Sequence, residues 1–254
     1  MPSLLACSLT CYSWYLATIP HLHHTLIVPA WSQCQDDKFK WPGPLQYFHK
    51  FGLLPLVKTF KVCGKHFLTH NVLPPLIVDG FSPQLLNRHV LRQFSALTNV
   101  QELGIEYLDI PKFMPKIQRY FGHFSPTVRS LALSEPKGSR RQILYFVGLF
   151  QHLEDLKLTY DQLGFHEGLT DNFELIPPSV PPLRGRLTIR NLALVQLLKD
   201  MINLFGGVRF HHMDLCNVDG MRLLLDASAK TLETLRVYRE DFSERRTSSG
   251  QPFS

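Results

Sequence analysis

The sequence predicts an α/β fold assembled from repeated helix–strand units. Three observations carry this expectation. A short pattern, apolar-x-x-apolar-x-apolar, recurs along the chain, and helical spacing precedes several of its copies. The composition, 44% hydrophobic over 254 residues, is enough to bury a sizeable core. No apolar run reaches the roughly 18 residues that a membrane-crossing helix needs.

The copies follow in order. Leu22 to Val28 is a first, loose version, followed by Val57-Phe60-Val62, Val100-Leu103-Ile105, Val128-Leu131-Leu133 and Leu153-Leu156-Leu158. Leu183 to Ile189 contains one extra residue, and Phe210-Met213-Leu215 and Leu232-Leu235-Val237 complete the series. Each copy ends in period-two alternation, which makes it a strand with one buried face. Helical faces are expected at Leu86-Val90-Phe94, Ile117-Tyr120-Phe124, Ile143-Val147-Phe150 and Val195-Leu198-Ile202, where apolar residues recur at three- and four-residue steps. Helix then strand, repeated, resembles a leucine-rich-repeat solenoid. The spacing is irregular for that family, with steps between central apolar residues of about 22 to 43. Its usual Asn or Cys, three positions after the last strand apolar residue, is replaced by Leu108, Pro136 and Asp161.

Residues 3–28, SLLACSLTCYSWYLATIPHLHHTLIV, precede the repeats. A secretion signal needs a basic start, a clean apolar run and a small-residue cleavage site. This segment has no Lys or Arg before Pro20, and Ser8, Thr10 and Ser13 break its apolar run. A helix fits better: Leu5, Leu9, Cys11, Trp14 and Ala17 fall along one face as packing residues, Pro20 stops the helix, and Leu26-Ile27-Val28 forms a strand.

Leu5, Cys7, Ser8, Cys11 and Trp14, with Leu4, Ala17 and Leu22, resemble the C-terminal half of an F-box, whose pattern is roughly LLxCSxVCxxWxxxAxxxL. Leu9 stands where valine is common and Tyr12 where a basic residue is usual. The resemblance covers only about the first 26 residues, and the first helical segment of the motif would lie before Met1. F-box proteins, fungal ones especially, often carry irregular leucine-rich repeats. The family resemblance therefore implies an adaptor subunit of an SCF-type cullin E3 ubiquitin ligase. In that role Leu4, Leu5, Leu9, Cys11 and Trp14 would face a Skp1-type adaptor, across a surface reduced by the missing half.

The expected organisation is a partial F-box-like segment (1–26), a connector (29–55) and an irregular repeat domain (56–242) with a proline-rich loop at 164–182. A polar, disordered tail (243–254) follows. The net charge of +6 is spread thinly, which argues against nucleic acid as partner. Cys7, Cys11, Cys34, Cys63 and Cys216 form no CxxC pair and suggest free thiols in an intracellular, cytoplasmic or nuclear protein. Histidines at 21, 23, 24, 211 and 212 lack acidic or thiol ligands in register, so no metal is expected. Cys63 and His66 read as the end of a strand rather than a nucleophile and its base. No GxGxxG, P-loop, GxSxG or HExxH sequence is present, so neither catalysis nor a cofactor is expected.

Function then falls to the outward-facing strand positions. Candidate contacts for a protein substrate are Lys58, Lys61, Gln101, Glu102, Arg129, Glu154, Lys157, Arg186, Arg190, His211, Asp214, Arg236 and Tyr238. Their alternating signs suit a mixed-charge protein surface. The alternative is a truncated repeat scaffold that holds a partner without assembling a ligase.

Overall fold

A computed structural model describes residues 12–29, 43–63, 93–114, 117–160, 182–192, 195–204 and 206–238. Its centre is one open, eight-stranded parallel sheet in which each strand pairs with the next in sequence. The strands are β1 (Thr25–Pro29), β2 (Thr59–Cys63), β3 (Glu102–Glu106), β4 (Ser130–Ser134), β5 (Asp155–Thr159), β6 (Leu183–Leu192), β7 (Val208–Val218) and β8 (Thr234–Tyr238). Each expected copy of the pattern is one of these strands.

Register explains why the pattern is so regular. Leu26, Phe60, Leu103, Leu131, Leu156, Leu187, Met213 and Leu235 are successive partners across the sheet. Val28, Val62, Ile105, Leu133, Leu158, Ile189, Leu215 and Val237 form a second row two residues on. Because side chains alternate between faces, both rows project to one side, and from β1 to β7 both are buried. A third row, with Val57, Val100, Val128 and Leu153, closes the core just ahead of the strands.

Helices cover that side. They are α1 (Tyr12–Leu22), α2 (Gly43–Lys50), α3 (Ile110–Phe113), α4 (Ile117–Phe121), α5 (Arg140–Gly148), α6 (Val195–Leu204) and α7 (Met221–Ser228). All but α1 place residues in the same apolar cluster as the strand rows, with Phe113, Phe121, Phe146 and Phe150 stacked edge to face among them. Helix α5 begins with a reciprocal capping box: Gln142 N–H donates to Ser139 Oγ at 3.3 Å, while Ser139 N–H donates to Gln142 Oε1 at 2.9 Å. An Arg140–Asp200 pair at 3.2 Å ties α5 to α6.

A second ladder runs through the turns that enter the strands. The His24 carbonyl accepts from the N–H groups of Lys58 and Thr59. Lys58 accepts in the same way from Gln101 and Glu102, Gln101 from Arg129 and Ser130, and Arg129 from Glu154 and Asp155. One carbonyl per unit thus fixes the start of the next strand. At β6 the pattern changes: Gly185 occupies this position with φ +87°, and a Cβ there would lie 2.1 Å from the Glu154 carbonyl oxygen. The β6–β7 register shifts between Gly185 and Arg186, beside the copy that contains an extra residue.

Four details differ from expectation or add to it. Helix α1 runs through Pro20 to Leu22, and His23 N–H still bonds the Ile19 carbonyl at 3.0 Å. Proline sits here in the last turn, where losing one donor and straining one carbonyl do not break the segment. The stretch expected to be a connector contains α2, whose Leu45 and Phe48 are buried in the core. Helices α3 and α7, four and eight residues long, are too short to establish a period in the sequence. The positions of Leu108 and Pro136 are buried, so apolar packing replaces the polar ladder expected there. One step earlier, with backbone at positive φ, Asn217 Nδ2 donates to Asn191 Oδ1 at 3.0 Å. The proline-rich loop, except Pro182, the tail from 243 and the Leu86-Val90 part of the first expected helix lie outside the described residues.

Candidate functional site

The face of the sheet opposite the helices has no described helix across it, and the outward strand residues meet there. Register sorts them into rows. The first runs Thr25, Thr59, Glu102, Ser130, Asp155, Arg186, His212, Thr234, and the second Ile27, Lys61, Gly104, Ala132, Lys157, Thr188, Asp214, Arg236. Just ahead of the strands lie Lys58, Gln101, Arg129 and Glu154, whose carbonyls form the turn ladder, with His211 in the corresponding place before β8. Arg190 and Tyr238 lie two residues beyond the second row, with Cys216 between them. The thirteen candidate contact residues are therefore carried by strands or strand entries from β2 to β8 of one sheet.

Neighbouring units are linked across this face by side chains, the sheet's counterpart of helix i,i+4 pairs. Thr59 Oγ1 donates to Glu102 at 3.1 Å and Ser130 Oγ to Asp155 at 3.1 Å. Arg129 pairs with Glu154, His211 Nδ1 lies 3.3 Å from Glu233, and His212 bonds Thr234. Tyr238 was expected to project freely toward a partner. Instead its hydroxyl lies beside Asp214 and Arg190. Desolvation, then the Asp214 carboxylate, pushes that hydroxyl above its ordinary pKa. Cys216, a free thiol, is fully buried within this group.

Two features of the face were missed from sequence. Gly104 and Ala132 leave it without large side chains between Lys61 and Lys157, and the Lys61 stem lies across Gly104, whose Cβ would sit 3.2 Å from Lys61 Cγ. At the other end a depression of about 180 Å³ opens between Arg186, Thr188, His212, Asp214, Thr234 and Arg236. The alternation pattern held the signal for the first; the second depends on side-chain conformation.

The second candidate surface is on α1. Trp14 is 56% and Leu16 50% exposed, and Ala17 is exposed beside them, whereas Thr18 is buried. Trp14 and Ala17 of the expected packing face thus point outward, and Thr18 points inward. Leu4, Leu5, Leu9 and Cys11 lie outside the described residues. Tyr47 and Phe51 of the α2 region add a separate exposed aromatic pair, with ring centroids 4.7 Å apart. Among the described residues, no three His, Cys, Asp or Glu side chains converge as a metal site. No described helix is long and apolar enough to cross a membrane.

Compared with protein-family models and with curated proteins, the chain matches none.

Proposed function

We propose that this chain is a non-catalytic substrate-recognition subunit of an SCF-type cullin E3 ubiquitin ligase, similar to F-box proteins with irregular leucine-rich repeats. The observation that carries the reading is the in-register order of eight parallel strands, each bearing one copy of the repeat pattern and four of them, β2 to β5, entered through the same carbonyl turn. Such an arrangement turns a helix–strand repeat into one continuous open face, the surface on which repeat proteins bind partners. The preceding helix exposes Trp14 and Leu16, and aromatic side chains are enriched at protein interfaces. In this reading α1 meets a Skp1-type adaptor while the sheet holds an intracellular protein target.

Purified Skp1-type adaptor, mixed with the chain and with a Trp14→Ala, Leu16→Asp variant, tests the proposal. The unmodified chain should co-elute with the adaptor in size-exclusion chromatography, and the variant should elute alone. Failure of the unmodified chain to retain the adaptor would overturn the ligase reading and leave a repeat scaffold that binds a partner on its own.

A further inference from the structure

Charge on the open face is not distributed as its composition suggests. Several of its carboxylates have neighbours: Glu102 accepts from Thr59, Asp155 from Ser130, and Glu154 and Glu233 pair with Arg129 and His211, while Asp155 and Asp214 each keep one buried oxygen without a partner. Glu106 is engaged as well. Lys61, Lys157, Arg186 and Arg236 are exposed, and their side chains make no hydrogen bond or ion pair among the described residues. Arg236 is the register partner of Asp214, yet no ion pair joins the two. A hydroxyl donor leaves a carboxylate its charge, so the face keeps both signs, and these four cations stand on it without an ion-pair partner.

These cations are also regularly placed. Lys61, Lys157 and Arg236 share one register row, on β2, β5 and β8. Each interval is three strand spacings, roughly 14 Å at about 4.8 Å per strand. An extended chain rises roughly 3.3 Å per residue, so about four residues bridge each interval. Gly104 and Ala132 put no large side chain of their own between the first two cations, and the Lys61 stem lies across Gly104. Arg186 and Arg236, with Asp214 on the strand between them, line the depression of about 180 Å³ at the far end. A guanidinium there can grip a carboxylate through two parallel N–H bonds.

We propose that the open face binds an acidic, extended segment of a protein partner, laid across the strands with carboxylates at about every fourth residue over Lys61, Lys157 and the Arg186–Arg236 depression. This rests on the reading of the open face as the target-binding surface.

The test uses fluorescence anisotropy with the full chain and a fluorescein-labelled Gly-Ser peptide carrying glutamate at every fourth position. A peptide of the same composition with its glutamates adjacent, its lysine counterpart and a labelled oligothymidylate are the comparison probes. The spaced glutamate peptide should bind best, and added salt should weaken it. Lys157→Gln combined with Arg236→Gln should weaken it roughly fivefold or more, the scale of two exposed charge pairs. Lys199→Gln with Lys230→Gln removes the same charge from the helix side and should leave binding unchanged. Equal loss in that control, tighter binding of the oligothymidylate, indifference to glutamate spacing, or no binding of the peptide each overturns the proposal. Adaptor is absent from this assay, so its outcome and that of the adaptor experiment are independent.

Discussion

Strands β5 and β8 carry the same apolar pattern and end with opposite fates. Leu156 and Leu158 of β5 are 1% and 0% exposed, whereas Leu235 and Val237 of β8, their counterparts in the same register rows, are 43% and 48% exposed. The pattern fixes which face each side chain points to; it does not fix how much water reaches it. Burial comes from the neighbours, since β5 is flanked by β4 and β6 within the apolar cluster, while no unit follows β8 among the described residues.

Large-to-small substitution should expose this difference directly. Leu156→Ala removes packing from the middle of the core and should cost about 3 kcal/mol of unfolding free energy, measured by urea denaturation. Next in size, Gly185→Ala breaks the seam between β5 and β6. The new methyl group would meet backbone rather than a yielding side chain, at a positive φ, so a loss of about 2–3 kcal/mol is expected. Leu235→Ala should cost under about 1 kcal/mol, because its side chain has already lost much of its burial. A loss at Leu235 equal to that at Leu156 would show that further structure covers β8.

The comparison also marks how much was legible in the sequence. All eight strands could be placed from alternation, because one buried face imposes period two whatever the loops do. Three helices, α4, α5 and α6, followed from three- and four-residue spacing. By contrast, α2 lay in a stretch rich in proline and polar residues, where two buried anchors, Leu45 and Phe48, are too few to declare a period. The outward residues could be named, since they are simply the other parity. Which of them are engaged could not be, because the partner of Glu102 is 43 residues away in sequence and is set by register. A surface that alternates in sign along the chain therefore carries cations, Lys61, Lys157, Arg186 and Arg236, that no described carboxylate pairs.

The smallest expected effect concerns pH and the covered side of the sheet. His123 lies in the 3-10 turn Gly122–Phe124 that follows α4, its ring 3.8 Å from that of Phe124. Burial lowers its pKa, opposed by a hydrogen bond to the Phe94 backbone, and its Nε2 is buried without a partner. The folded chain therefore holds this imidazole neutral, while the unfolded chain takes up a proton near the ordinary value of about 6.5. Since the unfolded state binds more protons, the contribution is complete above that value and is lost as pH falls through it. The melting temperature should drop between about pH 7.5 and pH 5.5, and His123→Gln, which cannot take up the proton, should flatten that part of the profile. An unchanged slope in the variant would place the acid sensitivity elsewhere. A flattened one would tie it to the seam where Phe94 and Phe124 close over Phe60, the well-packed end of the comparison with β8.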